Sequence, residues 1–337
     1  MRKFFKWKVY PVIFICLFLF IICNKDAPRA YRKIQIEKLF EIGSESGDDN
    51  YIFYNPSSIG VDSKGNIYVL DTGNARIQKF DPDGKYLATI GKKGEGPGEL
   101  TGFVFAFFID DQDVIWVADR GNLRISKFKS TGEYLNSFKV RYSPLNILVN
   151  KKREVILRII DFSGLYSFVV LNEHGKELRK FGKLQPFDNR YLLVQMNYGS
   201  TALNEQDEIY HSFSSPYKIQ KYDRSGKLIK EFTRVLPYKI FTPVVDTSKG
   251  YPQYKNYKRV SFAVSVFQGY IFNLFSSIPE NTEAGDAIDI FDSSNRLVQT
   301  IFLDIPATTM IVKNNKLYIL EIENFFKVGV YKINEGK

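Results

Sequence analysis

Residues 55–91 read NPSSIGVDSKGNIYVLDTGNARIQKFDPDGKYLATIG, and residues 103–138 read FVFAFFIDDQDVIWVADRGNLRISKFKSTGEYLNSF. Asp71, Arg76, Phe80 and Gly84 of the first stretch return as Asp119, Arg124, Phe128 and Gly132 of the second, each 48 positions later. Repetition at a period of about 40–50 residues marks an array of supersecondary units. In the first copy, alternating apolar and polar residues predict strands at about 57–61, 66–70, 75–80 and 86–90, with SKGN, DTGN and DPDG as the turns between them. Four short antiparallel strands joined by tight turns make one blade of a propeller.

Outward from these two copies the signature weakens to an aromatic or leucine followed four residues later by a turn position. It occurs six times, at Phe80/Gly84, Phe128/Gly132, Leu171/Gly175, Tyr222/Gly226, Phe291/Asn295 and Tyr331/Glu335. The third unit spans about 144–181, the fourth 200–232 and the fifth 260–302; the sixth, TTMIVKNNKLYILEIENFFKVGVYKIN, supplies only three strands. The strand it lacks is found at the other end of the body, where IEKLFEIG at 36–43 ends like KYLATIG of the first unit. The expectation is an all-β, six-bladed propeller of four-stranded antiparallel blades over 36–335, closed by the N-terminal strand completing the last blade. Closure removes the sheet edges that an open array would expose.

Composition agrees. The chain is 44% hydrophobic, enough for a sizeable core, and its 29 Phe and 21 Tyr favour pleated, half-buried strands. No helical period stands out beyond the N-terminus. The net charge of +10 suggests an acidic or nucleic-acid partner until it is localised. Eight of the 47 basic residues and one of the 37 acidic ones lie in the first 33 positions, leaving 39 against 36 in the rest. That balance removes the main electrostatic argument for a nucleic-acid surface. Cys16 and Cys23, the only cysteines, both lie in the leading apolar segment, so the body holds no disulfide and no Cys-ligated zinc.

That leading segment is an address. MRKFFKWK is a basic n-region, and the uncharged run Val9–Cys23 is 15 residues long. A spanning helix needs about 20 apolar residues, whereas an export-signal core needs about 7–15. FIICNKD resembles a bacterial lipoprotein signal with Cys23 as the lipidated residue, although Ile22 departs from the small residue that pattern requires. An uncleaved anchor extended by Phe4, Phe5 and Trp7, or simple secretion, are the alternatives. All three divide the chain into a signal or anchor at 1–23, a linker at 24–35 and the propeller, and all place the body outside the cytoplasm in the cell envelope.

GNIYVLDTGNARIQKFDPDGKYLATIGKKGEGPGEL resembles an NHL repeat, and the strong match covers about residues 54–138. The whole architecture resembles bacterial six-bladed propeller envelope proteins, common among lipoproteins of the Bacteroides kind. The resemblance implies a fold and a location more clearly than a reaction. NHL-type propellers include a zinc-dependent peptide-amidating lyase, but His174, in a turn, and His211, in a strand, are the only histidines here and cannot rebuild its site.

The remaining motifs favour structure. Asp71/Arg76 and Asp119/Arg124, repeated at the same place in two blades, predict ion pairs that shape the loop between second and third strands. GKKGEGPGEL at 91–100 has a glycine pattern reminiscent of phosphate loops, but strands flank it on both sides, which makes it a connector. DPDG at 81–84 and DDQD at 110–113 sit where hairpin turns fall and need no metal. No catalytic residue, metal or cofactor is assigned.

Three insertions carry the functional expectation: 183–199 and 234–259 between blades, and 276–286 between middle strands. All should reach one face of the ring, where propellers bind ligands. The 234–259 segment combines Tyr238, Phe241, Tyr251, Tyr254 and Tyr257 with Lys239, Lys249, Lys255, Lys258 and Arg259. Aromatic faces beside cationic donors suit a sugar, a peptide or a single nucleic-acid strand. Tyr54, Asn55, Tyr251, Tyr254, Tyr257 and Arg259 are the expected contact residues. The expected function is a non-catalytic module, tethered to the membrane through its N-terminus, that recognises a glycan, peptide or envelope protein. A lyase or hydrolase at the channel mouth is the alternative.

Overall fold

Alternating side chains and tight turns do build blades. In a computed structural model, which describes residues 33–163, 165–278 and 283–335, blade 1 consists of Ser58–Val61, Ile67–Asp71, Arg76–Phe80 and Tyr86–Ile90, each strand pairing antiparallel with the next. The signal segment, Cys23 and the linker as far as residue 32 lie outside the described residues. Blades 2, 3 and 4 are four-stranded sheets of the same order, beginning at Val104, Asn146 and Gly199. The six innermost strands adjoin one another in sequence around a ring, the last against the first. The fold is a six-bladed propeller.

The repeated signature has a physical cause. Gly84, Gly132, Gly175 and Gly226 adopt φ of 87°, 94°, 89° and 92°, and Asn295 adopts 61°. Each is the left-handed residue of the turn between third and outer strands, a conformation that glycine and asparagine tolerate best. In the sixth pair, Tyr331/Glu335, the later residue is a strand residue instead, since both lie within the strand Phe326–Glu335.

Blade 6 takes its outer strand from the N-terminal side of the body. Ile34–Ile42 pairs antiparallel with Phe326–Glu335, from Ile34 opposite Glu335 to Ile42 opposite Val328. Ile42 is buried with Phe53, Tyr318, Leu320, Val328 and Val330 at the seam with blade 1. Blades 5 and 6 are joined without a loop. The 17-residue strand Leu297–Lys313 serves as the outer strand of blade 5 in its first part and as the inner strand of blade 6 in its last.

The core lies between blades, where buried Val, Ile, Leu and Phe of adjacent sheets meet. Antiparallel order puts all the turns within hairpins of first-to-second and third-to-outer strands on one face, the turn face. The inter-blade connectors and second-to-third strand loops lie on the opposite, connector face. The turn face is stitched from blade to blade: Ser63 donates to Asp113 from both its amide and hydroxyl, at 2.8 and 2.6 Å, and Lys313 Nζ donates to the Val61 carbonyl at 2.8 Å. Ile34 lines a cleft there with Gln268 and Asn315, so the chain enters the ring on the turn face.

A short helix, α1 (Arg190–Met196), occupies the connector into blade 4, where no helical period was evident. It is held by its cap: the Asn189 side chain accepts from the Tyr191 and Leu192 amides. A seven-residue helix carries too few turns to print a periodicity on the sequence.

Candidate functional site

The repeated Asp–Arg pairs are structural, as their repetition implies. The Asp71 carboxylate accepts from Arg76 Nε at 2.9 Å and from the Tyr54 amide at 2.7 Å, while Arg76 also donates to the Asp49 and Ile52 carbonyls. In blade 2 the Asp119–Arg124 pair is 3.4 Å apart, and Arg124 donates to the carbonyls of Glu95 and Glu99. Each pair therefore pins the backbone of the connector entering its own blade. The glycine-rich segment 91–100 is such a connector, folded on itself by Leu100 N to Lys92 O at 2.7 Å. The acidic turns are closed by their own amides: Asp81 accepts from Asp83 and Lys85, and Asp110 from Gln112, Val114 and the Trp116 indole.

The two long connectors converge on blade 4. The first carries α1 and ends in Asn197, which is fully buried. The Asn197 amide group donates to the carbonyls of Leu193 and Gln185 and accepts from the Gln185 amide, tying the insertion into a knot. Its own carbonyl accepts from Arg158 of blade 3. Arg158 is 1% exposed and has no carboxylate partner among the described residues; it donates instead to the carbonyls of Ile159, Ser167 and Asn197. Burial pushes its pKa down to about 10. His211, also fully buried, faces Arg158 at 3.5 Å through Nε2 and approaches the Ser200 carbonyl at 3.1 Å through Nδ1. Burial and the neighbouring guanidinium hold the His211 pKa well below its ordinary value, so the ring is neutral. His211 is a strand residue, as expected, and His174 an exposed turn residue beside Glu173. The Arg158–His211 contact was invisible in the sequence, since it joins strands of different blades.

The second connector folds back as a hairpin, Val244–Asp246 against Gln253–Lys255, with Lys255 paired to Asp246 at 3.0 Å. Its root is fixed where Arg234 meets the buried Asp289, which also accepts from Tyr217 at 2.8 Å and Thr300 at 2.6 Å. Its far end is fixed where the Val260 amide donates to Ser214 at 2.6 Å. The hairpin contacts α1, and the Tyr254 hydroxyl donates to the Tyr191 carbonyl at 3.4 Å. Tyr254 and Tyr257 lie 6.1 Å apart between ring centroids. Arg259 stacks on Phe262 at 4.4 Å beside Tyr257, immediately before the inner strand of blade 5.

The structure thus brings Tyr254, Tyr257 and Arg259 together, leaves Tyr251 exposed at the hairpin tip, and turns Tyr238 inward to donate to the Ser276 carbonyl at 2.8 Å. Tyr54 and Asn55 belong to the connector between blades 6 and 1, two blades away around the ring, and do not join this cluster. Tyr54 is 61% exposed, and Asn55 has a left-handed φ of 48°.

The sequence hid a further feature. Apart from Phe105 and those on outer strands, the exposed large apolar side chains among the described residues are Tyr54, Phe103, Leu123, Phe162, Leu165, Tyr191, Val235, Phe241, Val244, Tyr251 and Ile278. Every one lies in a connector or second-to-third strand loop, and none among the described residues lies in a turn of the opposite face. Between the faces runs a channel of about 360 Å³, bordered by all six inner strands and by the polar groups of Ser58, Asn146, Ser200, Thr201, Ser265 and Lys313.

Comparison with known proteins follows this geometry. No curated protein matches the sequence. Among solved structures, the chain is similar to a Bacteroides fragilis protein described as exported, at 12% identity and a TM-score of 0.63 over 90% of this chain and 96% of that one. It is similar to a DUF4221-family member from Bacteroides vulgatus, at 13% identity and a TM-score of 0.61 over 90% and 99%. It is also similar to virginiamycin B lyase from Staphylococcus aureus, at 13% identity and a TM-score of 0.54 over 89% and 99%. At such identities the likeness is one of fold alone. Residues 46–229, more than half of the chain, match the model of the DUF5128 family, described as a 6-bladed beta-propeller, and they run from the connector before blade 1 through most of blade 4. The chain belongs to that 6-bladed beta-propeller family.

Proposed function

We propose that the protein is a non-catalytic recognition module, tethered in the cell envelope, that binds a glycan, peptide or protein through its connector face. The observation that supports this most directly is that the exposed large apolar side chains of the loops all lie on that face, with none among the described residues in a turn of the opposite one. Apolar side chains exposed on binding loops are covered when a partner docks. The ring beneath, with the connectors into blades 1, 2, 4 and 5 pinned by polar contacts, is a scaffold that lets loops differ without disturbing the framework.

The test is native mass spectrometry of the full chain in detergent with envelope extract. A stoichiometric complex should form, be lost in a Phe241→Ser/Tyr251→Ser double variant and persist in the outer-strand control Leu87→Ser. A complex indifferent to the double variant would sink the reading, and a released product in place of a stable complex would make the protein a channel-mouth enzyme.

A further inference from the structure

We infer that the occupant of the connector face beside blade 4 is a protein segment carrying acidic and apolar side chains, with one carboxylate taken by Arg259. The inference rests on the recognition reading and names the class of partner for the same face.

Charge points first to an anion. The two long connectors, 183–199 and 234–259, hold Lys183, Arg190, Arg234, Lys239, Lys249, Lys255, Lys258 and Arg259 against only Asp188 and Asp246. Two of the cations are neutralised internally, Arg234 by Asp289 and Lys255 by Asp246. None of the others has a carboxylate within ion-pair distance among the described residues. The body as a whole is nearly balanced, so this excess is local.

Arg259 is the anchor because its hydrogen-bonding capacity is unspent. Its Nε is buried without a partner, and its Nη2 reaches only the Phe262 carbonyl, at 3.5 Å. Arg124 Nε is likewise buried without a hydrogen bond, but the arginines at other loop roots on this face each have a carboxylate within ion-pair distance, Asp71 for Arg76, Asp119 for Arg124 and Asp289 for Arg234, whereas Arg259 has none among the described residues. A guanidinium seated over an aromatic ring, with Tyr257 beside it, is positioned to take a carboxylate in a fork.

The apolar surroundings choose between polyanions. Phe162 and Leu165 of the second-to-third strand loop of blade 3, and Phe241, Val244 and Tyr251 of the second connector, are exposed. Arg190 stacks on Phe162 at 4.3 Å, so charge and apolar surface interleave. A saccharide stacks on aromatic faces but offers little to Leu or Val, whereas a peptide supplies apolar side chains that bury such residues.

The test pans the full chain, solubilised in detergent, against a displayed library of random twelve-residue peptides, with polygalacturonate as a glycan probe in parallel. Selected peptides should combine Asp or Glu with aliphatic or aromatic residues. Changing the critical carboxylate to its amide should weaken binding at least about tenfold on the native chain and add nothing on Arg259→Gln. Arg259→Lys, which keeps the charge and loses the fork, should fall between. The inference is overturned if the amide change costs as much on Arg259→Gln as on the native chain. Selection of neutral peptides, binding of polygalacturonate alone, or binding of neither probe also overturns it. Peptides that bind undiminished to the Phe241→Ser/Tyr251→Ser variant would instead refute the recognition face itself.

Discussion

Replacing Ile42 by alanine tests the closure of the ring. Ile42 is 1% exposed and sits at the seam of blades 6 and 1, against Phe53, Tyr318, Leu320, Val328 and Val330. Truncating a fully buried isoleucine removes transfer free energy and leaves a cavity, costing about 2–5 kcal/mol. For a body of this size the unfolding entropy is roughly 0.6 kcal/mol/K, so the melting temperature should fall by about 3–8 °C. Leu39, in the same strand but 42% exposed, is the matched control, and Leu39→Ala should stay within about 0.5 kcal/mol of the parent. Thermal and urea unfolding of both variants, followed by circular dichroism, give the comparison. If Ile42→Ala proves no more destabilising than Leu39→Ala, the N-terminal strand is not an integral part of blade 6.

Three further outcomes are expected. Tyr251→Ala should weaken partner binding while leaving the melting temperature within about 1 °C, whereas Tyr254→Ala, half-buried against α1, should lose binding and about 1–2 kcal/mol of stability as well; equal stability losses would make both packing residues. Because the buried His211 is neutral when folded and protonates freely when unfolded, its contribution is intact above pH 6.5 and is lost as pH falls below it, at up to about 1.4 kcal/mol per pH unit. Urea midpoints from pH 8 to 5 should show this slope and show less of it in His211→Gln; identical slopes would refute it. Asp71→Ala should cost about 3 kcal/mol and abolish hydrogen-exchange protection of the Tyr54 amide, and retained protection would remove the latch role assigned to the Asp–Arg pair.

What the sequence made legible followed from local chemistry. Turns that need a left-handed residue, such as those at Gly84 and Gly132, print a fixed spacing on the chain, so the strands of blade 1 could be drawn to within a residue of their boundaries. The closing strand was recoverable because IEKLFEIG shares the alternation of an outer strand. The join of blades 5 and 6 was not, because a continuous strand through Pro306 has no turn residue to announce it. At the site, the aromatic and cationic composition of 234–259 was plain, but exposure was not. Tyr238 and Tyr251 look alike in sequence and differ only in whether a carbonyl of Ser276 lies within reach. The pairing of Arg158 with His211, 53 residues apart, depends on two blades meeting face to face.

The strand that completes blade 6 has a mechanical consequence. It directly follows Lys33, so tension reaching the body through the preceding residues arrives at this strand before any other. Pulled along its own axis, the strand meets its registered pairs, from Ile34↔Glu335 to Ile42↔Val328, all at once, as a sheared ladder. A hairpin opened from its end gives way one rung at a time, whereas a sheared ladder yields only when many rungs fail together. The clasp of the ring and the stretch through which any pull from the preceding residues would enter it are the same nine residues.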